Sequence, residues 1–280
     1  MSLQLLKLRA TRRAWSAARS HDTAALLGLN TTESRPGAPE RRFNSALLIG
    51  ADGRVRGRYD KIHRVPFGEY VPLRDSIPLM NRLAPYDFDY SIAEGEGQPR
   101  LPVGKHRFGV IICYEDTDPA LARGYVDPAG GDKADFLVNI SNDGWFDGTA
   151  EHEEHLAICS FRAIECRRSV ARSVNMGISA VIDGNGRVLA PAEVGREGEV
   201  RLWDLDKGGG AELPVARWHE FKKVPGVLFA VIPLDDRTSL YARFGDWLPL
   251  GCWAVLGLAL LFLIVRRFVA PGSAAPARGT

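Results

Sequence analysis

The fold is decided by the stretch Lys105-His106-Arg107-Phe108-Gly109-Val110-Ile111-Ile112-Cys113-Tyr114-Glu115-Asp116. Its short β-branched run, residues 110–112, predicts a buried strand that ends at a cysteine and is followed at once by polar residues. Open α/β sheets place their ligand sites at the carboxyl ends of strands, so Cys113 is a candidate nucleophile. Taken alone, Cys113 fits a plain core cysteine better, because unpaired cysteines are among the most buried residues.

A second stretch, residues 58–72, favours the catalytic interpretation over an ordinary charged surface loop. It follows a predicted β-hairpin over residues 46–59, with Asp52-Gly53 as its turn, so Lys61 lies at a strand end. Two prolines and a glycine shape the loop beyond it and hold Glu69 in place. A cysteine-based acyl transfer needs an ammonium beside the thiolate and oxyanion, and a carboxylate that takes and returns the proton. The residues that supply this set are Lys61, Glu69, Cys113 and Glu115.

Five motifs follow one another along the chain. They are Tyr59-Asp60-Lys61 with Val65-Pro66-Phe67-Gly68-Glu69-Tyr70-Val71-Pro72, Ile112-Cys113-Tyr114-Glu115, Asn139-Ile140-Ser141-Asn142-Asp143-Gly144-Trp145-Phe146, Arg162-Ala163-Ile164-Glu165 and Asn175-Met176-Gly177-Ile178-Ser179-Ala180. With these motifs the chain resembles the nitrilase (carbon–nitrogen hydrolase) superfamily, and within it the apolipoprotein N-acyltransferases. The resemblance runs from about Leu26 to the last apolar segment. It implies an α/β fold of the nitrilase-like αββα sandwich type.

The resemblance also implies a role for particular residues. Cys113 is the expected nucleophile, Lys61 the lysine of a Glu–Lys–Cys triad, and Glu69 an accessory glutamate beside them. Tyr114 and Glu115 match residues that flank the nucleophile in the family. These five residues are therefore the core of the expected catalytic site.

The next predicted strand, at residues 135–140, ends in a polar turn beside the cysteine strand. This arrangement places Asn142 and Trp145 near the rim of the same pocket. Farther along, His152 and His155 are three residues apart, whereas the zinc-protease pattern has two histidines four residues apart on a helix. Because no third ligand is evident, we expect a solvated first helical turn here, with no metal and no cofactor.

The activity implied by the resemblance is the last acylation of bacterial lipoproteins. A fatty acyl chain would pass from a phospholipid, through a thioester on Cys113, to the amino-terminal diacylglyceryl-cysteine of an apolipoprotein. The expected partners are thus a phospholipid donor, an apolipoprotein acceptor and a membrane, and the net charge of +2 gives no case for nucleic acid. Two alternatives stay open: an amide or nitrile hydrolase of the nitrilase type, and a non-catalytic membrane-tethered binding domain.

The amino-terminal part of the sequence departs from the family pattern. Residues 1–25 predict a basic helical segment, and residues 30–42 a polar loop. In the family, a Trp-Pro-Glu-type motif supplies the general base, but the early glutamates of this sequence, Glu33 and Glu40, both fall in the predicted loop. We therefore expect a sandwich that is incomplete at its amino end through truncation, and an impaired turnover.

The carboxyl-terminal part of the sequence predicts a membrane anchor behind a catalytic domain at residues 26–240. Residues 247–265 carry no charge, and as a helix they reach about 28 Å, enough to cross a bilayer core. Arg266 and Arg267 follow at once, which favours a cytoplasmic tail at residues 266–280. The expected location is the inner (cytoplasmic) membrane, with the catalytic domain on its periplasmic face.

The remaining features are typical of a globular protein of 280 residues, of which 45% are hydrophobic and 25% charged. The four cysteines lack the spacing of a zinc site or of a disulfide framework. Cys159 and Cys166 fall on the apolar face of a helix predicted over residues 151–168, where we expect them in the core. Residues 73–97 predict either a lid or a packed irregular loop. Residues 205–226 predict a connector, and residues 227–234 a strand.

Overall fold

The computed structural model describes residues 3–4, 16, 19–74, 76–83, 90–127, 131–147 and 149–269. The chain divides into two compact units, Met1–Arg243 and Phe244–Thr280. In its described residues, the first unit contains two large β-sheets, a small third sheet and two helices that pack on one of the large sheets. The described part of the second unit is helical.

The first large sheet has four strands in the order β1-β2-β3-β4, all antiparallel: β1 (Leu3–Gln4), β2 (Ala25–Glu33), β3 (Arg41–Ile49) and β4 (Val55–Asp60). The β3–β4 pair confirms the predicted hairpin. Gly53 has a φ of 74° in its turn, a conformation that glycine adopts at no steric cost. Most of the helix predicted over residues 1–25 lies outside the described residues, but the prediction is wrong at Leu3–Gln4, which pair with β2 as a strand, and at Ala25, where β2 begins.

The loop predicted at residues 30–42 is too long, because β2 continues to its end at Glu33 and β3 begins at Arg41. The polar residues here pair with each other across the sheet. Thr31, which is buried, makes a 2.6 Å hydrogen bond to Ser45 on β3. Cross-strand hydrogen bonds of this kind stabilise a strand that composition alone assigns to a loop.

The second large sheet has five strands in the order β5-β6-β7-β8-β9: β5 (Leu101–Val103), β6 (His106–Ile112), β7 (Phe136–Asn142), β8 (Val170–Asn175) and β9 (Ala180–Ile182). The central strands β6, β7 and β8 are parallel, and the edge strands are antiparallel to their neighbours. The predicted buried strand at residues 110–112 is therefore the end of β6. Parallel pairing brings the carboxyl ends of β6 and β7 to the same edge of the sheet.

The two large sheets face each other across one apolar cluster. Its buried members are Ala46, Leu48, Tyr59, Leu101, Phe108, Val110 and Ile112. The opposite face of the five-stranded sheet is covered by helices α1 (Pro119–Gly124) and α2 (Glu151–Cys166). This arrangement confirms the predicted mixed α/β, nitrilase-like fold. On the far face of the four-stranded sheet, Leu47 and Ile49 are also fully buried.

Helix α2 confirms the helix predicted over residues 151–168 and the predicted burial of its two cysteines. Cys159 and Cys166 are both buried in the core. Burial raises the pKa of each thiol to about 12, so neither is a thiolate at neutral pH. They are core residues, as expected.

The third sheet follows in sequence, in the order β10 (Ala192–Glu197), β11 (Val200–Asp204) and β12 (Gly226–Phe229). The connector predicted at residues 205–226 holds two 3₁₀ segments, Asp206–Gly208 and Val215–Phe221. The strand predicted at 227–234 is wrong in its second half, because β12 ends at Phe229. Pro233 lies in that second half and has no N–H to donate to a ladder.

The segment at residues 73–97 contains a 3₁₀ helix, Pro78–Leu83. Residues 75 and 84–89 lie outside the described part of the chain. Leu73, Leu79 and Leu83 are each about 60% exposed. This segment is therefore irregular and presents apolar side chains to its surroundings.

Helix α3 (Leu240–Phe244) ends where the second unit begins, and helix α4 (Trp247–Val269) follows. By length and composition, Trp247–Phe268 is apolar enough to cross a membrane. Its first nineteen residues are the predicted membrane helix. Most of the tail predicted at 266–280 lies outside the described residues.

Candidate active site

Cys113 lies where β6 ends and a tight turn begins. It is the first residue of the 3₁₀ helix Cys113–Thr117, which we call the nucleophile turn. Its φ is 52°, in the left-handed region that residues other than glycine rarely occupy. Such a conformation costs about 1–3 kcal/mol and persists only where the surroundings enforce it. The half-buried cysteine thus occupies a strained strand-to-helix turn, as catalytic nucleophiles of other folds do.

Glu115 connects the nucleophile turn to the segment that carries the lysine. Its Oε1 accepts hydrogen bonds from the Tyr59 hydroxyl (2.7 Å) and from the backbone N–H groups of Ile62 (2.7 Å) and His63 (3.1 Å). Its Oε2 accepts one from the Ile112 N–H, at 2.7 Å. Burial raises the pKa of the Glu115 carboxyl, and these four donors limit the rise. Glu115 therefore fixes the turn against the end of β4 instead of lining an open pocket.

Lys61 follows β4 directly, and its side chain is only 1% exposed. Its Nζ lies 2.7 Å from Glu69 Oε2. The contact is an ion pair whose angles do not fit a hydrogen bond. Nζ therefore has no hydrogen-bond partner in the described part of the chain. A buried ammonium needs such a counter-ion, because leaving an unpaired charge in the interior is costly. Its N–H groups remain available to a developing oxyanion.

Glu69 is held by its own loop, as the sequence predicts. The Val65 N–H donates to Glu69 Oε2 at 2.8 Å, and the Asn44 side-chain amide donates to Oε1 at 3.3 Å. Phe67 adopts a positive φ of 61° within the loop, where its N–H donates to the Tyr70 carbonyl. The loop therefore orients the carboxylate toward Lys61.

His63 and Tyr114 join the same two segments on the more exposed side. Their rings meet edge to face, with centroids 5.4 Å apart. His63 Nδ1 also lies 2.9 Å from Asp118 Oδ2. Burial opposes ionisation of Asp118, but the hydrogen bond with His63 and those from the Leu121 and Ala120 N–H groups together outweigh it and lower the pKa of the carboxyl. Tyr114 is 36% exposed, so it faces the surroundings of the nucleophile turn.

Asn142 and Trp145 come at the end of β7, the strand beside β6. The side-chain oxygen of Asn142 accepts a hydrogen bond from the Asn175 amide at 2.8 Å, and it caps the 3₁₀ helix Asp143–Phe146. We call this helix the Asp143 turn. Trp145 is 74% exposed. Both residues thus lie at the sheet edge that carries the nucleophile turn, which agrees with the expected rim position but does not test it.

Comparison with known proteins gives the family. The model of the family described as "Carbon-nitrogen hydrolase" matches residues 6–214, which is more than half of the chain. The chain belongs to the carbon–nitrogen hydrolase family.

Within this family, the chain is similar to proteins named apolipoprotein N-acyltransferase. An apolipoprotein N-acyltransferase of Geobacter metallireducens is 39% identical over 189 residues, which are 66% of this chain and 35% of that protein. One from Bordetella bronchiseptica is 34% identical over 273 residues, which are 90% of this chain and 42% of that protein. The chain thus spans well under half the length of these relatives.

Solved structures of the family are more distant. A carbon–nitrogen hydrolase from Helicobacter pylori has 18% sequence identity and a TM-score of 0.47, over 65% of this chain and 62% of that one. An amidase from Nesterenkonia sp. has 21% identity and a TM-score of 0.45, over 64% and 60%.

The expectation of a solvated first turn on α2 is wrong. His152 is fully buried and His155 is 5% exposed. His155 Nε2 lies 2.8 Å from Asp116 Oδ2, and its Nδ1 lies 3.1 Å from Asp143 Oδ1. The helix begins against the turns that follow β6 and β7, so its histidines point into the protein. The sequence pattern missed this because the partners are distant along the chain.

Arg172 on β8 completes this buried cluster. Its guanidinium pairs with Asp116 at 3.2 Å and with Asp143 at 2.9 Å, and its side chain is fully buried. An arginine in a central strand is the one sequence signal that predicts such a cluster, since a buried charge requires partners.

The donor atoms of Asp143, Glu151 and His155 lie within 4.8 Å of one another, as in many metal sites. However, both ring nitrogens of His155 already contact carboxylates, and Arg172 pairs with Asp143. The carboxylates are thus neutralised by protein cations. We assign this group as an ion cluster and derive no metal chemistry from it.

Proposed function

We propose that this chain carries out the acyl transfer of an apolipoprotein N-acyltransferase, with Cys113 as its nucleophile. The observation that carries the proposal is the buried Lys61–Glu69 ion pair, which Glu115 ties to the strained turn of Cys113. The named relatives support the choice of substrates within the family.

In the first half-reaction, the Cys113 sulfur attacks the ester carbonyl carbon of a phospholipid. The thiol proton passes to a carboxylate, for which Glu69 is the candidate among the described residues. Lys61 stabilises the tetrahedral oxyanion. Collapse of this tetrahedral intermediate breaks the ester bond, and the proton returns to the leaving alkoxide. A lysophospholipid departs, and the acyl chain remains on Cys113 as a thioester.

In the second half-reaction, the free α-amine of a diacylglyceryl-cysteine attacks the thioester carbonyl carbon. The same ammonium stabilises the second oxyanion, and the carboxylate takes the proton from the amine. Collapse breaks the carbon–sulfur bond, and Cys113 regains a proton. The product is an N-acylated lipopeptide, and no cofactor enters either step.

Exposed apolar groups near the site suit lipid substrates better than small amides. Tyr114 is exposed in the nucleophile turn and Trp145 in the Asp143 turn, and the leucines of the segment at residues 73–83 are exposed as well. Helix α4 supports a membrane location, because both substrates reside in a bilayer. Arg266 and Arg267 at its end favour the inner membrane with a cytoplasmic carboxyl end and a periplasmic catalytic domain.

Turnover by the chain as printed is expected to be slow. The sequence holds no Trp-Pro-Glu-type motif, to which the family resemblance assigns the general base. Glu69, the candidate base among the described residues, is already engaged in the ion pair with Lys61. General-base assistance is worth roughly 10²–10⁴-fold in rate. A single slow acylation of Cys113 should therefore precede little or no further transfer.

The test uses the full chain in detergent, with phospholipid and a diacylated lipopeptide. We expect an acyl adduct on the Cys113 peptide that hydroxylamine removes, and at most one N-acylated lipopeptide per protein, both read by mass spectrometry. Cys113→Ala should abolish both signals, and Cys159→Ala, a buried control, should retain them.

Each departure from this result has a defined meaning. Hydrolysis of small amides without phospholipid would replace the proposal with an amidase. Absence of any adduct would favour a binding domain. Repeated turnover would show that a described carboxylate serves as base, and would contradict only the expected slowness.

A further inference from the structure

The buried ion cluster lies between two turns that follow neighbouring strands. Asp116 belongs to the nucleophile turn, three residues after Cys113. Asp143 opens the Asp143 turn, next to Asn142. Both carboxylates are fully shielded from solvent. Two adjacent buried anions repel each other, so the two turns stay together only if cations lie between them.

Two cations from other elements meet this requirement. The guanidinium of Arg172 is fully buried and contacts both carboxylates. The imidazole of His155 also contacts both, one with each ring nitrogen. The Arg172 guanidinium also donates a hydrogen bond to the side-chain oxygen of Asn139, at 2.6 Å. The two carboxylates and the two cations together carry no net charge.

We propose that His155 is a positioning residue, which links Asp116 to Asp143 and thereby holds Cys113 in its left-handed conformation beside Lys61. The inference rests on the proposed function in taking Cys113 as the nucleophile and Lys61 as the ammonium beside its thiol. The nucleophile turn is fixed on one side by Glu115 and on the other by Asp116. Removing either attachment lets the strained turn relax and moves the thiol away from the ammonium.

The link depends on the charge of His155, because a neutral imidazole has one N–H donor and cannot donate to both carboxylates. The charged groups that face it are Asp116 from the nucleophile turn, Asp143 from the Asp143 turn, Glu151 from α2 and Arg172 from β8. Burial lowers the pKa of His155, but the hydrogen bonds to Asp116 and Asp143 outweigh burial and raise it to about 10. The link is therefore formed at neutral pH and is lost as the pH rises through about 10.

The main experiment measures the second-order rate of Cys113 alkylation by iodoacetamide in the full chain, by mass spectrometry of the Cys113 peptide. His155→Gln and Asp116→Asn should each slow alkylation at neutral pH about tenfold or more, because the thiol loses its fixed place near Lys61. The double variant should be alkylated no more slowly than either single variant, since both substitutions break the same link.

The control is Leu156→Ala, which removes a fully buried side chain from the same helix without touching the cluster. It should lower stability and leave the alkylation rate unchanged. Equal rates in the His155→Gln and Leu156→Ala proteins, or additive effects in the double variant, would overturn the proposal. Alkylation needs no lipid, so this result is independent of whether acyl transfer is found.

A measurement on the unaltered protein covers the case in which the His155→Gln protein does not fold. The chain has six histidines, and rings with an ordinary pKa of about 6.5 are neutral at about pH 8.5. In ¹⁵N-histidine-labelled protein, one ring should still show two imidazolium nitrogens at that pH. If all rings are neutral there, the proposed link does not exist.

Discussion

Lys61 is the residue on which the chemistry of the site depends most. Its ammonium is buried, and Glu69 is the carboxylate that contacts it among the described residues. Breaking a buried ion pair from one side costs about 3–5 kcal/mol, because the other charge is left uncompensated. The Lys61–Glu69 pair is therefore as important to the stability of the fold as to catalysis.

We predict that Glu69→Gln lowers the free energy of unfolding by about 3 kcal/mol and abolishes the Cys113 adduct. Denaturant unfolding measures the first effect and mass spectrometry the second. The matched control is Glu94→Gln, whose carboxylate forms a surface pair with Arg64 and is 58% exposed. Exposed pairs are worth about 0–1 kcal/mol, so this variant should be nearly unaffected. Equal losses in both variants would contradict the assignment of the buried pair.

The residues that are close in sequence were the easier ones to predict. Lys61 and Glu69 share one loop, and the prolines of that loop restrict where the carboxylate can point. Glu115 was found as a neighbour of the cysteine, but its role as a buried acceptor of four hydrogen bonds was not. That role depends on β4, which meets the nucleophile turn only in the folded protein.

Among the elements, β6 sets the position of the nucleophile through its packing. Gly109 lies in this strand, four residues before Cys113, against the ring of Tyr125. A Cβ at this position would lie only 2.4 Å from a Tyr125 ring carbon, well inside contact distance. The Tyr125 hydroxyl donates a 2.7 Å hydrogen bond to the Val110 carbonyl. A larger residue at Gly109 would therefore displace the ring and break this bond.

We predict that Gly109→Ala destabilises the protein by about 1–3 kcal/mol, as overpacking of a core does. Thermal unfolding measures the loss. Gly97→Ala is the control, because nothing lies within 4 Å of the added Cβ and the backbone there has a negative φ. If both variants unfold at the same temperature, the close packing of β6 against Tyr125 is not present in solution.

Some secondary-structure elements could be predicted from the sequence and others could not. Apolar periodicity identified β6, β7 and α2, because each buries a continuous apolar face. The hairpin of β10 and β11 was missed because its side chains are largely polar, with pairs such as Glu193–Arg201. The cluster around His155 was also missed, since its members come from four elements that only the tertiary fold brings together.

For the whole molecule, the two units divide the proposed task between chemistry and attachment. The unit Met1–Arg243 contains every residue of the proposed catalytic site, and Phe244–Thr280 contains the apolar helix α4. The sequence predicts a catalytic domain over residues 26–240 and a membrane helix over residues 247–265, because an uncharged run of membrane-spanning length is visible in the composition alone. Helix α4 satisfies its backbone hydrogen bonds internally, as a segment in lipid must.

We predict that removing residues 247–280 releases the protein from membranes into the supernatant under mild extraction, because α4 is the one described helix long and apolar enough to span a bilayer. Removing only residues 271–280 is the control and should leave the protein in the pellet. Immunoblotting of the two fractions measures the outcome. Retention of the shorter chain after an alkaline carbonate wash would show a second anchor. The exposed leucines at residues 73–83 are the surface to test next, since apolar side chains that face lipid resist such a wash.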